Sequence, residues 1–232
     1  MCDSVAVQGL AETELSDLQC AEVSWLLARR GTKVSIDLGP DDRLRQFINC
    51  SATFALPNKK TAYELTHIVF YLSEYGHRDP NLDCGAVQSP KFLGIIPYVG
   101  QNADLLAENY IALRFAGQRP SPNWENWIVK TLSDFQVIKQ PASATSDEFH
   151  EYLVSVWMSL RAKCDGMVQS VLGRRLEFTR GDVPTGLLRN ISNLLLDMCA
   201  EQSPDWEVMC PIVDQVIDEE GYGILEQSLE CG

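Results

Sequence analysis

Apolar residues recur at three- and four-residue spacing along most of the chain, and this rhythm, interrupted by Gly and Pro, predicts a succession of helices. Leu18, Ala21, Val23, Trp25, Leu26 and Leu27 follow Ser16-Asp17 and precede Arg29-Arg30-Gly31. That order of cap, apolar stripe, basic end and glycine predicts a helix over about residues 16–30. Leu44, Phe47, Ile48, Ala52 and Phe54 predict a second helix over 41–56, stopped by Pro57. Tyr63, Leu65, Ile68, Val69 and Leu72 predict a buried helix over 62–75, ahead of Gly76. Asn102 is placed to cap a helix running to Ala116, and Pro122 opens another through Trp124, Trp127, Ile128 and Leu132. Residues 139–146 read as a turn. Ser146 or Asp147 then begins a long apolar helix through Tyr152, Leu153, Val156, Trp157 and Leu160, running on toward Leu172. Further helices fit residues 184–201 and 205–219, and a short one follows Gly221.

The breaks matter as much as the stripes. Gly76, Pro80, Gly85, Pro90, Gly94, Pro97 and Gly100 punctuate residues 76–101, which predicts a long irregular loop acting as a lid or pocket wall. Sustained period-two alternation is missing, and only 33–38 is a candidate for a short strand. The expected fold is therefore all-α, a single helical domain over 1–232. Glu64, Asp104 and Asp147 recur at intervals of 40 and 43 residues, the length of a helix, a connection and a returning helix. Antiparallel helical hairpins with that repeat would aim these polar residues at a central polar cavity.

Composition narrows the setting. The chain has 232 residues, 45% of them hydrophobic, enough for a substantial core. A net charge of −13 argues against nucleic acid and against anionic membrane surfaces, both of which need a basic footprint. No apolar run approaches the roughly 20 residues of a spanning helix, and the acidic start does not match an export signal, so a cytoplasmic protein is expected. Eight cysteines, scattered without CxxC pairs, read as reduced and mostly buried thiols.

Chemistry is suggested where ionisable residues interrupt apolar helical stretches, because a charge placed among core residues must be paired, hydrogen-bonded or bound. Glu64 and His67, three apart, share a helix face and suit an acid–base pair or metal ligands; the plainer reading is a core histidine donating to a neighbour. Asp104 and Glu108, four apart, also share a face, and Asp104 would equally serve as a first-turn charge on the helix dipole. His150 lies one turn ahead of Leu153 and Val154 at the start of its helix. His77 in the loop, and Arg78 and Arg114 as anion receivers, are secondary candidates. Cys84 lacks an identifiable histidine partner, and Arg174-Arg175 with Arg180 forms a small basic patch. A second view takes Glu22, Glu64, His67, Glu108, Asp147 and His150 as the ligands of a di-iron carboxylate bundle, departing from that pattern in the shorter Asp147.

Tyr63-Glu64-Leu65-Thr66-His67 through Glu74-Tyr75-Gly76, Asp104-Leu105-Leu106-Ala107-Glu108, and Phe149-His150-x-Tyr152-Leu153-Val154 together resemble a group of largely uncharacterised actinobacterial all-helical proteins found with specialised-metabolite pathways. The resemblance spans residues 60–160 and implies an α/α-toroid-like fold and a biosynthetic setting. The leading expectation is an enzyme acting on a small polar metabolite by cyclisation, elimination or hydrolysis. His67 and His150 would be its acid–base groups, Glu64 and Glu108 would orient them or bind substrate, and Asp104 would be a further carboxylate. No cofactor is expected on this reading; iron belongs to the alternative of a di-iron oxygenase. The third expectation is a non-catalytic helical partner of a pathway enzyme.

Overall fold

Ser16 opens helix α1 (Asp17–Arg29) with a reciprocal capping box: its hydroxyl accepts from the Gln19 N–H while the Gln19 side chain accepts from the Ser16 N–H. The computed structural model describes residues 16–32, 39–139, 148–164, 176–181, 186–217 and 219–229. The chain divides into two compact units, one of Met1–Leu93 with Ala112–Arg119 and one of Gly94–Ile111 with Pro120–Gly232.

In the first unit α1 packs against α2 (Gly39–Ile48) and α3 (Lys59–Leu72), and α2 packs against α3. Arg43 on α2 grips both carboxylate oxygens of Asp17, at 2.8 and 2.7 Å, and holds that carboxyl below its usual range. A 3₁₀ turn (Ser51–Ala55) follows α2, so the second predicted helix is cut at Ile48 and resumes only as this turn. Asn58 caps α3 by accepting from the Thr61 N–H, and Leu65, Ile68, Val69 and Leu72 form its buried stripe as predicted. The helix ends where Glu74, Tyr75 and Gly76 take positive φ values of 49°, 58° and 84°. A left-handed Tyr is strained, and the stacking of its ring on Trp25, with centroids 4.5 Å apart, offsets that cost.

The expected loop at 76–101 is overturned. Residues Cys84–Val99 form a 16-residue helix, α4, with Pro90, Gly94 and Pro97 inside it. Its buried positions are Ala86, Ser89, Pro90, Leu93, Gly94, Pro97, Tyr98 and Val99, and from Ala86 to Tyr98 they alternate at three- and one-residue steps, the rhythm of a helix face. Gly94 is there for proximity: a Cβ on it would lie 2.1 Å from Cη2 of the buried Trp124. His77 stays exposed in the turn ahead of α4 and belongs to no lid.

Helix α5 (Ala103–Phe115) follows, with Asn102 accepting from the Leu105 N–H at its start. Ser121 caps α6 (Pro122–Ser133), which packs against α7 (Phe149–Ala162) within the second unit. Lys163 at φ 59° closes α7 in a left-handed cap, so the helix stops well short of Leu172. Strands β1 (Phe135–Lys139) and β2 (Leu176–Arg180) pair antiparallel, Val137 opposite Phe178. Leu132, Phe135, Tyr152 and Phe178 make one buried cluster beneath that pair, with Val137, Val156 and Leu176 against it. Helices α8 (Leu187–Met198), α9 (Trp206–Val213) and α10 (Glu219–Leu229) complete the described chain.

Helices dominate and a single two-stranded sheet is present among the described residues, so the protein is all-α. The strand expected at 33–38, the start of α7 at Ser146 or Asp147, and Arg174-Arg175 lie outside the described residues. No disulfide links the six described cysteines, and Cys50, Cys84 and Cys199 are exposed rather than buried. Among the described residues no helix is long and apolar enough to cross a membrane.

Candidate functional site

Asp104 and Glu108 lie one turn apart on α5, and that turn carries its side chains inward: Leu105, Leu106, Ala107 and Glu108 are all buried. Glu108 is 2% exposed, an unusual place for a carboxylate and the reason the pair stands out. His150, in the first turn of α7, meets both. Its Nδ1 lies 2.6 Å from Asp104 Oδ1, and its Nε2 lies 3.9 Å from Glu108 Oε1. The first contact is a short hydrogen bond; the second leaves a gap that a bond to a proton alone does not fill. The histidine side chain is 55% exposed and the Asp104 side chain 18%, so the group opens to solvent over a buried floor.

The start of α7 is held in place by β2. Glu148, the residue before the helix, donates its N–H to the Phe178 carbonyl, while its carboxylate accepts from the Arg180 N–H at 2.8 Å. Two residues beyond Glu148, then, His150 has a fixed origin. Arg180 carries a second tie: its Nη1 lies 3.0 Å from Glu151 Oε1, and its guanidinium stands over the Phe135 ring, 5.8 Å from the centroid. The ion pair is close but not aligned as a hydrogen bond, since Glu151 Oε1 and Arg180 Nε are both buried without hydrogen-bond partners. Burial pushes the Glu151 carboxyl above its usual range; Arg180 opposes that rise, and Glu148 and Asp104 add to it. Arg180 is thus an interior counter-ion rather than part of a solvated basic patch.

Of the residues singled out by the sequence, the structure brings together Asp104, Glu108 and His150, each offering one ligand-type atom within 4.8 Å of the others. Glu64 and His67 belong to the first unit. There Glu64 lies 3.8 Å from Lys60, and His67 packs near Phe70 and Tyr71, with ring centroids 6.0 and 6.3 Å away. Glu22, from the di-iron set, is exposed on α1 beside Tyr71; burial pushes the Tyr71 hydroxyl up, and Tyr75 and Glu22 reinforce the shift. Asp147, from the same set, lies outside the described residues. Arg78 is spent on structure, donating to the Leu72 carbonyl and pairing with Glu74 and Asp41, and Arg114 is exposed.

Sequence reasoning missed the polar cluster around Glu125. One of its carboxylate oxygens accepts from the buried Tyr110 hydroxyl and the other from the Cys164 thiol at 3.2 Å. A hydroxyl and a thiol donating to one carboxylate form a lock between α5, α6 and the end of α7. Glu125 on the first turn of α6 reads in the sequence only as a helix-dipole charge, so no local signal points to it.

No curated protein and no solved structure matches the chain. The chain belongs to the family described as a domain of unknown function (DUF6902), whose family model covers residues 1–231.

Proposed function

We propose that the protein is an enzyme that moves a proton on a small polar metabolite, with His150 as the proton carrier. The observation that carries this reading is the 2.6 Å contact between Asp104 Oδ1 and His150 Nδ1. In the neutral ring a proton on Nδ1 donates to Asp104, which leaves the Nε2 lone pair free to accept. Asp104 fixes both the tautomer and the ring plane, the work an orienting carboxylate performs in any Asp–His pair. When Nε2 takes a proton from a substrate O–H, N–H or activated C–H, the resulting imidazolium lies between two carboxylates, with Glu108 3.9 Å from the nitrogen that has just gained charge. Returning that proton to a leaving group or a rearranged carbon completes a cyclisation, elimination or hydrolysis.

The acidic surroundings favour a neutral or cationic substrate over an anionic one, since Asp104, Glu108, Glu148 and Glu151 outnumber Arg180. The resemblance to helical proteins of specialised-metabolite pathways supports a biosynthetic setting and a pool of small hydroxylated or amino compounds in which to look. The test is consumption of such a panel, followed by mass spectrometry, with wild-type protein and His150→Ala. Turnover lost by at least about a hundredfold in a folded His150→Ala is the expected result. An unchanged rate in that variant removes His150 from the chemistry. His67→Ala, run alongside, reports whether the first unit contributes as its sequence pattern predicts.

A further inference from the structure

We infer that Asp104, Glu108 and His150 also form a binding site for a divalent transition-metal ion, held between His150 Nε2 and the Glu108 carboxylate. The geometry carries this. Metal bonds to imidazole nitrogen and carboxylate oxygen are each about 2.1 Å long, so two of them span about 3.4 Å at a tetrahedral angle and about 4.2 Å when collinear. The observed 3.9 Å between Nε2 and Oε1 lies inside that range, too long for a hydrogen bond and short enough for one ion. A second observation is independent of this distance. The other ring nitrogen is already engaged by Asp104 at 2.6 Å, and a ligating imidazole characteristically has its far N–H held by a carboxylate, which fixes the ring and strengthens its donor atom.

The positions of the three groups suit an open site. Glu108 is on the buried floor and is anchored by the middle of α5, whereas the half-exposed His150 gives the ion a route in and leaves room for water to complete its coordination. One carboxylate and one imidazole nitrogen as protein donors, with water completing the shell, favour ions such as manganese, iron or zinc over a soft ion that prefers thiolates. No described cysteine belongs to the cluster.

An ion on Nε2 occupies the atom that the acid–base reading reserves for the proton. Metal and proton therefore exclude each other, and metal loading switches off proton transfer by His150. The binding claim stands without that reading, so the test is made without substrate. Chelator-treated full-length protein is titrated with Mn²⁺, chosen because cysteine sulfur competes poorly for it and the chain has eight cysteines, and bound ion is counted by paramagnetic resonance. One ion per chain is expected, with affinity reduced at least about tenfold in His150→Ala and Glu108→Gln, and about tenfold in Asp104→Asn, where only the ring's orienting partner is altered. His77→Ala, at an exposed site in the first unit, serves as the control. Circular dichroism and the unfolding midpoint establish that each variant is folded; His150→Ala removes a half-exposed ring and carries the test if Glu108→Gln does not fold. Absence of binding up to millimolar Mn²⁺, or equal binding by His150→Ala, overturns the inference. Mn²⁺ bound with no turnover in any metal state would overturn the acid–base reading and leave this one standing.

Discussion

Asp104→Asn is expected to lower turnover by roughly a hundred- to ten-thousand-fold while leaving the protein folded. The substitution keeps size and shape and changes one thing: the atom facing His150 Nδ1 can now be an N–H. An amide donating to Nδ1 places the ring proton on Nε2, and the base is lost although every heavy atom is in place. The cost in stability is small by comparison. Asp104 lies in the first turn of α5, where a negative charge near the helix dipole is worth about 0.3–1 kcal/mol, and the cap itself is made by Asn102. The measurement is kcat and KM on the substrate found with the wild-type protein, set beside the urea midpoint. A variant that loses activity only in proportion to its loss of folded protein would make Asp104 a structural residue and withdraw the dyad.

Gly94→Ala is expected to destabilise the fold by about 3 kcal/mol or more, at the upper end of what overpacking costs. The added methyl would stand 2.1 Å from Trp124 Cη2, 2.4 Å from Cζ3 and 2.8 Å from Asn109 Nδ2. Trp124 is 2% exposed and Asn109 fully buried, so neither has free space to enter. The indole is a rigid plate, and relief requires α4 to move away from α6. Gly223→Ala provides the contrast: no heavy atom lies within 4 Å of its would-be Cβ, and a helical alanine gains about 0.5–1 kcal/mol over glycine. Urea unfolding of both variants measures the difference. Combining Gly94→Ala with Trp124→Phe should recover part of the loss, because the smaller ring no longer reaches the methyl; a Gly94→Ala midpoint equal to wild type would mean the contact is not as tight as described.

These two positions show what is legible in the sequence and what is not. Helices α1, α3, α5 and α6 are written in conventional signs: Ser16, Asn58, Asn102 and Ser121 cap them, and large apolar residues repeat along one face. Helix α4 uses a different alphabet. Its buried face is made of Ala86, Ser89, Pro90, Gly94 and Pro97 as much as of Leu93 and Tyr98, and small residues that permit close approach look like residues that break a chain. The two strands were invisible for another reason. Each has five residues, so only two or three alternations are available, and their partners are separated by the whole of α7.

The site follows the same division. That Asp104 and Glu108 share a face is a property of helical spacing and can be read locally. That His150, and not the equally suggestive His67, meets them depends on where β2 holds the first residue of α7, which no local pattern records. Glu64 and His67 share a helix face by the same local spacing, yet the carboxylate faces Lys60 and the ring lies among aromatic neighbours of the first unit.

The double tie between Glu148 and β2 has a kinetic consequence for solvent exchange. The Glu148 amide is bonded to the Phe178 carbonyl and the Arg180 amide to the Glu148 carboxylate, so separation of the strand from the helix start exposes both to deuterated water. That opening therefore frees both amides together, each then exchanging at its own intrinsic rate, and it releases the turn bearing His150. The fraction of time in which the imidazole is correctly aimed is then governed by the opening of a small β-ribbon in an otherwise helical protein.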